Sequence, residues 1–211
     1  MQLRAAALTL ALALASSPGP ATAQEVATPS PPPAASPAPT QHGTPAYRGF
    51  TVDMSSVGDD ATVRSAVEHQ IDIVADSGVR DEILAFFRAQ RIVVRRGAVD
   101  RFSRQRGIEI DTRLPVQQPI ALHELLHAYQ AFVLADGPRN PDILGFFEEA
   151  RRDGLYPPNA YVLRNPMEFF AVTGSLYLWG HVDRPPFDRA TLKRQQPRYY
   201  AWLAQLFGVE K

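Results

Sequence analysis

The sequence predicts an α+β fold, mostly helical, with a small sheet placed before a central apolar helix. Helical spacing recurs through most of 60–207, whereas only two short stretches read as strands. Both stretches precede residues 119–134, a segment apolar nearly all round, as a buried helix is.

The first residues read as a secretory signal over 1–23. Arg4 supplies positive charge, Ala5 to Ala15 form a short apolar run, and Ala21-Thr22-Ala23 offers a small-residue cleavage site before Gln24. The run is too short to span a bilayer, so the mature chain is expected to carry no transmembrane span and to be exported, to the periplasm or beyond the cell. An uncleaved anchor is the alternative. With no cysteine in the chain there is no disulfide framework and no site for a lipid anchor, so cohesion rests on the core, aided by a metal.

Residues 24–46 read as a linker. Pro29, Pro31, Pro32, Pro33, Pro37, Pro39 and Pro45 stand among Ala, Ser and Thr, a composition that favours extended polyproline II and serves better as a spacer than as a recognition ligand. Residues 47–211 then form one domain with room for a sizeable core. The formal net charge is zero, with arginines scattered among acids, so nothing suggests a nucleic-acid-binding face.

Within that domain, Val63, Val67, Ile71 and Val74 form one helical stripe over 60–76, with Asp59 or Asp60 as cap. A second short helix covers 81–89 through Ile83, Leu84, Phe86 and Phe87. Arg91-Ile92-Val93-Val94-Arg95 is β-branched and stops at Gly97, and 108–112 alternates apolar and polar, so both are predicted strands. The central helix spans 119–134, followed by a turn at 137–141. Further helices are expected over 142–152, 166–179 and 196–207, the last packing through Tyr199, Tyr200, Trp202, Leu203 and Leu206.

The central helix carries His123-Glu124-Leu125-Leu126-His127, the HExxH signature of zinc peptidases. Positions i and i+4 project within about 40° of each other, so both imidazoles reach one metal ion while Glu124 stands aside as a base. The bland alternative is an ordinary amphipathic helix. Against it, Ile120, Ala121, Leu122, Leu125, Leu126, Ala128, Phe132, Val133 and Leu134 leave no polar face, and two histidines and a glutamate are costly there unless something satisfies them. A small sheet before such a helix holds an extended peptide by adding it as one more strand.

A zinc site of this kind needs a third ligand. The pattern HExxHxxGxxH is excluded, because Gln130 and Val133 occupy the glycine and histidine positions. Glu148, Glu149, Glu168 and His181 remain. Glu149 opens a Glu-x-x-x-Asp pattern with Asp153, but it belongs to a charged cluster that reads as a solvated helix face. Glu168 is the sole carboxylate between Asp153 and Asp183 and sits in the apolar run from Pro166 to Val172, where a lone acid needs a cation. Pro166 and an Asn165 cap fix the start of its helix. Glu168 is therefore taken as the ligand over its alternative, a carboxylate favoured by the helix dipole.

The stretch from Tyr161 to Ala171, downstream of His-Glu-Leu-Leu-His, resembles gluzincins of the anthrax lethal factor and Pro-Pro endopeptidase group. There an Asn-x-x-Glu-x-Phe-Ala segment delivers the glutamate ligand, and a tyrosine seven residues earlier points its phenol at the reacting oxygen. Asn165, Glu168, Phe170 and Ala171 match that segment, and Tyr161 stands at the tyrosine's spacing. The resemblance covers about 119–180. It implies a zincin-like catalytic domain, one zinc ion held by His123, His127 and Glu168, Glu124 as base, Tyr161 as oxyanion donor, and a protein or peptide substrate. Val172 departs from it, standing where lethal factor-like sequences often carry another acid, so a contact that tunes a ligand is missing or replaced. Packing against Pro157 and Pro158 is the alternative role for Tyr161.

The expected function is thus a secreted zinc-dependent metalloendopeptidase. Two others stay open, a catalytically inactive zinc-binding domain acting in partner binding and an envelope protein whose metal only staples the fold. His181 reads as a helix-end histidine favoured by the dipole. Cleavage preference and oligomeric state are not written in these residues.

Overall fold

Residues 46–211 are the part described by this computed structural model; the expected signal peptide (1–23) and all but the last residue of the expected linker lie outside it. The strands are β1 (Ala46–Tyr47), β2 (Phe50–Asp53), β3 (Ile92–Val94), β4 (Arg101–Ser103) and β5 (Gly107–Ile110). The helices are α1 (Ala61–Ala75), α2 (Asp81–Arg88), α3 (Ile120–Phe132), α4 (Pro141–Arg152), α5 (Pro166–Trp179), α6 (Arg189–Gln195) and α7 (Pro197–Phe207), with short 3-10 turns at Gly137–Arg139 and Tyr161–Leu163. The fold is α+β as expected, and no described helix is long and apolar enough to cross a membrane.

The sheet has five strands in the order β1-β2-β3-β5-β4, not the two expected from the sequence. The missed strands are two to four residues long, and β4 (Arg-Phe-Ser) has a single apolar residue, too few to display a period. β2, β3 and β5 run parallel, with β1 and β4 antiparallel at the edges. Parallel β2 and β3 need a crossover, and α1 with α2 supplies it. Gly107 turns β4 into β5 with φ of 77°, and a Cβ there would stand 2.7 Å from the Arg91 carbonyl, so only glycine fits.

Phe50, Val52, Ile92, Val94, Ile108 and Ile110 line the sheet's inner face and are buried, with α3 packed on β4 and β5 and α2 on β2. The central helix α3 lies between that face and α5. Gly174 of α5 lets the two helices close up: a Cβ on it would stand 3.1 Å from Leu126 Cδ1. α7 completes the core through Tyr199, which stacks on Phe169 at 4.9 Å and shares a 2.7 Å hydrogen bond with Thr173. Tyr200 and Leu203 are buried as expected, and Trp202 and Leu206 are half-buried.

Local signals place the helix starts. Asp60 accepts from Thr62 N and Val63 N, Asn140 from Ile143 N, and Asn165 from Glu168 N at 2.9 Å. The last residues expected in α3 fall outside it: the helix ends at Phe132, and Phe132 and Val133 are about half exposed. The Phe132 ring meets the Phe102 ring at 5.6 Å and the Arg104 guanidinium at 5.0 Å. α6 was not expected; it is seven residues long and offers one buried side chain, Leu192.

Candidate active site

The site is built where α3 crosses α5. The start of α3 has no side-chain cap of its own. Gln70 of α1 does that work from across the core, its Oε1 accepting from Ala121 N at 3.1 Å while its Nε2 donates to the Gln118 carbonyl at 2.8 Å. This fixes the turn that presents His123 and Glu124. On the other wall, the Asn165 cap and Pro166 set the first turn of α5, which carries Glu168.

These two placements bring His123, His127 and Glu168 together. Glu168 Oε2 lies 3.2 Å from His123 Nε2 and 3.4 Å from His127 Nε2. Among the described residues they form the one cluster of histidine and carboxylate groups whose ligand atoms, all within 4.8 Å of one another, suit a metal ion. Glu168 Oε2 is buried and accepts no hydrogen bond from the described residues. A buried oxygen without a donor is costly, so its lone pair and those of the imidazoles are aimed at something else. The separations fit a metal: with bonds of about 2.1 Å, the edge of a tetrahedron is about 3.4 Å. Burial pushes the Glu168 carboxyl up, but the two imidazoles outweigh it and hold it well below the usual carboxylate range. Burial pulls the His123 imidazole down. The set therefore offers one anion and a histidine biased towards neutrality, as metal ligation requires.

Glu124 is 5% exposed, and its Oε2 has no hydrogen-bond partner among the described residues. Burial pushes its carboxyl up to about 7; His127 opposes this, and the carboxylates of Glu168 and Asp100 add to it. A carboxyl with that affinity exchanges protons near neutrality. Tyr161, on the 3-10 turn before α5, is half-buried with its ring 6.5 Å from that of His123. Burial and the Glu168 carboxylate raise the phenol's pKa, so it stays a proton donor. The Arg184 and Arg164 guanidiniums lie over its ring at 4.8 and 5.8 Å.

Glu124, Tyr161 and His123 line one cavity of about 220 Å³, together with Val99 and Asp100 before β4, Gln118, Pro119 and Ile120 at the start of α3, and Val172 and Ser175 of α5. Val182, Asp183 and Arg184 close it from a strap after α5. That strap is pinned to the start of α3, where Gln118 donates to Asp183 and Gln117 shares a 3.0 Å hydrogen bond with His181.

The candidates set aside in favour of Glu168 stand apart from the metal cluster. Glu149 faces Arg198 at 3.7 Å and Glu148 faces Arg151 at 3.4 Å, while His181 is exposed. Val172, the departure from the resembling group, is buried and forms cavity wall. His127 Nδ1 is buried with no hydrogen-bond partner among the described residues. Sequence reasoning passed over Asp100 and the strap residues Asp183 and Arg184. Asp100 lies just before a strand too short to be read, and the strap reaches the site only through tertiary contacts.

No family model matches the chain, and no solved structure matches it. Among curated proteins, the Pro-Pro endopeptidase of Paenibacillus alvei is 31% identical over 89 residues, which cover 42% of this chain and 38% of that protein. The chain is thus a distant relative of a peptidase, matched along well under half of either sequence.

Proposed function

We propose that this chain is a zinc-dependent metallopeptidase of the gluzincin type that is exported and hydrolyses peptide bonds of a protein or peptide substrate. The observation that carries the reading is the meeting of His123 Nε2, His127 Nε2 and the unpartnered Glu168 Oε2 beside the high-pKa carboxyl of Glu124. The donor set, two imidazoles and one carboxylate, is that of catalytic zinc sites, which keep a position open. Distant similarity to a peptidase supports the same class.

His123, His127 and Glu168 would hold the ion, which when bound polarises the scissile carbonyl and makes water a nucleophile near neutral pH. Glu124 takes a proton from the attacking water and returns it to the leaving amine. The Tyr161 phenol donates to the oxygen that gains charge as the carbonyl carbon becomes tetrahedral. An extended substrate is held along the outer edge of β4, the last strand of the sheet, to which no described strand is added.

The test is peptide-library cleavage by zinc-loaded wild type and Glu124→Ala, with metal content measured on both. The reading expects cleavage by wild type, near-complete loss in the variant, and one zinc per chain in each. Equal cleavage by both proteins, or none by wild type carrying stoichiometric zinc, would refute it.

A further inference from the structure

We propose that Asp100 reads the substrate residue immediately after the scissile bond, selecting a side chain with an apolar stem and a cationic or hydrogen-bond-donating tip. This rests on the peptidase reading above and concerns the same cavity.

Strand alternation sets the direction of the side chain. In β4, Arg101 pairs with the outward Glu109 and Phe102 with the inward Ile108, so Asp100, two before Phe102, shares its inward face, towards α3. There Asp100 lines the cavity with Glu124 and His123. Its Oδ1 accepts from Asp111 N at 2.7 Å, and its Oδ2 makes no hydrogen bond among the described residues. The fixed oxygen holds the carboxyl in place, and the other is left to bind.

The charges around it are otherwise committed. Glu168 belongs to the metal cluster and Glu124 to the proton transfer. Asp183 is held by Gln118 and by Arg184 at 3.3 Å, and the Arg184 guanidinium lies over the Tyr161 ring. Ile120, Val172 and Val182 give the cavity an apolar stretch of wall beside the polar Gln118 and Ser175. A partly apolar wall with one uncommitted carboxylate oxygen fits lysine or arginine better than an aliphatic residue, and the carboxylate repels an acid. Burial pushes the Asp100 carboxyl up, and a cationic side chain beside it would offset that cost.

Chain direction assigns the cavity to the residue after the cleaved bond. Val99 and Asp100 stand at the His123 end of α3, whereas Arg104 reaches the Ala131 carbonyl near its other end at 2.6 Å. β4 therefore runs alongside α3 in the same sense. A peptide adding antiparallel to β4, the more stable pairing, carries its C-terminal half to Asp100.

The experiment compares zinc-loaded wild type and Asp100→Asn on matched peptides bearing Lys, Met, Pro or Glu after the scissile bond. It reads cleavage, and also binding of the same peptides to the zinc-loaded Glu124→Ala protein with and without Asp100→Asn. Asn keeps the acceptor for Asp111 N and removes the charge. The expected result is a Lys-over-Met preference in wild type that falls by about tenfold or more in Asp100→Asn, with Glu the poorest substrate. If peptides are cleaved with Met or Pro equal to Lys, or with a Lys-over-Met ratio unmoved by Asp100→Asn, the inference is overturned and the peptidase reading stands. If nothing is cleaved yet Lys peptides bind best and depend on Asp100, the selection of a cationic side chain by Asp100 stands, while the peptidase reading falls and with it the placement of that side chain after a scissile bond. Absence of both cleavage and selective binding overturns both.

Discussion

His123 Nε2 lies 3.2 Å from Glu168 Oε2, yet no hydrogen bond joins them, and the carboxylate oxygen is buried without a donor. Two acceptor lone pairs brought so close repel unless a cation stands between them.

Metal removal is the direct check. A chelator should abolish peptide cleavage but leave the far-ultraviolet circular dichroism unchanged, because the core of sheet, α3 and α5 is continuous without an ion. Loss of a ligand bound far below its concentration should lower Tm by about 5–15 °C, reversed by added zinc. Unfolding on chelation would mark the ion as a staple for the fold instead. Burial pulls the His123 pKa below its ordinary value, so competition by protons for that ligand should begin below the usual imidazole range. A titration of zinc affinity against pH measures this.

Tyr161→Phe removes a donor and leaves a ring for the two arginines to cover. Turnover should fall by about a hundredfold, with zinc affinity and Tm little changed. Steady-state kinetics on a cleavable peptide decides the matter, and an unchanged kcat would make Tyr161 a packing residue.

Gln70→Leu tests how α3 is held. The substitution leaves Ala121 N and the Gln118 carbonyl without the partners Gln70 gives them, which should destabilise the fold by about 1–3 kcal/mol in urea denaturation. Because the same turn carries His123 and Glu124, zinc affinity should weaken as well.

Asp111, whose amide holds Asp100, supplies a pH dependence of stability. It is buried, accepting from Arg113 Nε at 2.8 Å and from Gly97 N and Thr112 N, and these donors, the arginine first, depress its carboxyl from 3.8 to about 2. A carboxyl depressed on folding stabilises the fold above its ordinary pKa and loses that effect as pH falls through the folded value. Wild type should therefore exceed Asp111→Asn in stability at pH 7, and the gap should close between about pH 4 and pH 2. Thermal melts of both proteins across that range check it.

Much of this was legible in the residues. The stripe Val63, Val67, Ile71 and Val74 gave α1, the Asn165-Pro166 start gave the first turn of α5, and a lone acid in an apolar run singled out Glu168. The short strands were not legible, since β4 has three residues and acquires its meaning by pairing with β5. Nor could the end of α3 be read: Phe132 and Val133 look like core but are about half exposed.

The sequence by itself determined the α+β class, the helix faces and the identity of the histidines, Glu124 and Glu168, because periodicity and local caps are written in neighbouring residues. Only the tertiary structure decided that Glu168 meets both imidazoles, that Gln70 holds the start of α3, and that Asp100 and the strap residues Asp183 and Arg184 share a cavity with Glu124. Those meetings depend on how α3 is set between the sheet and α5. That placement is fixed by side chains packing across the core, and spacing along the chain carries no record of it.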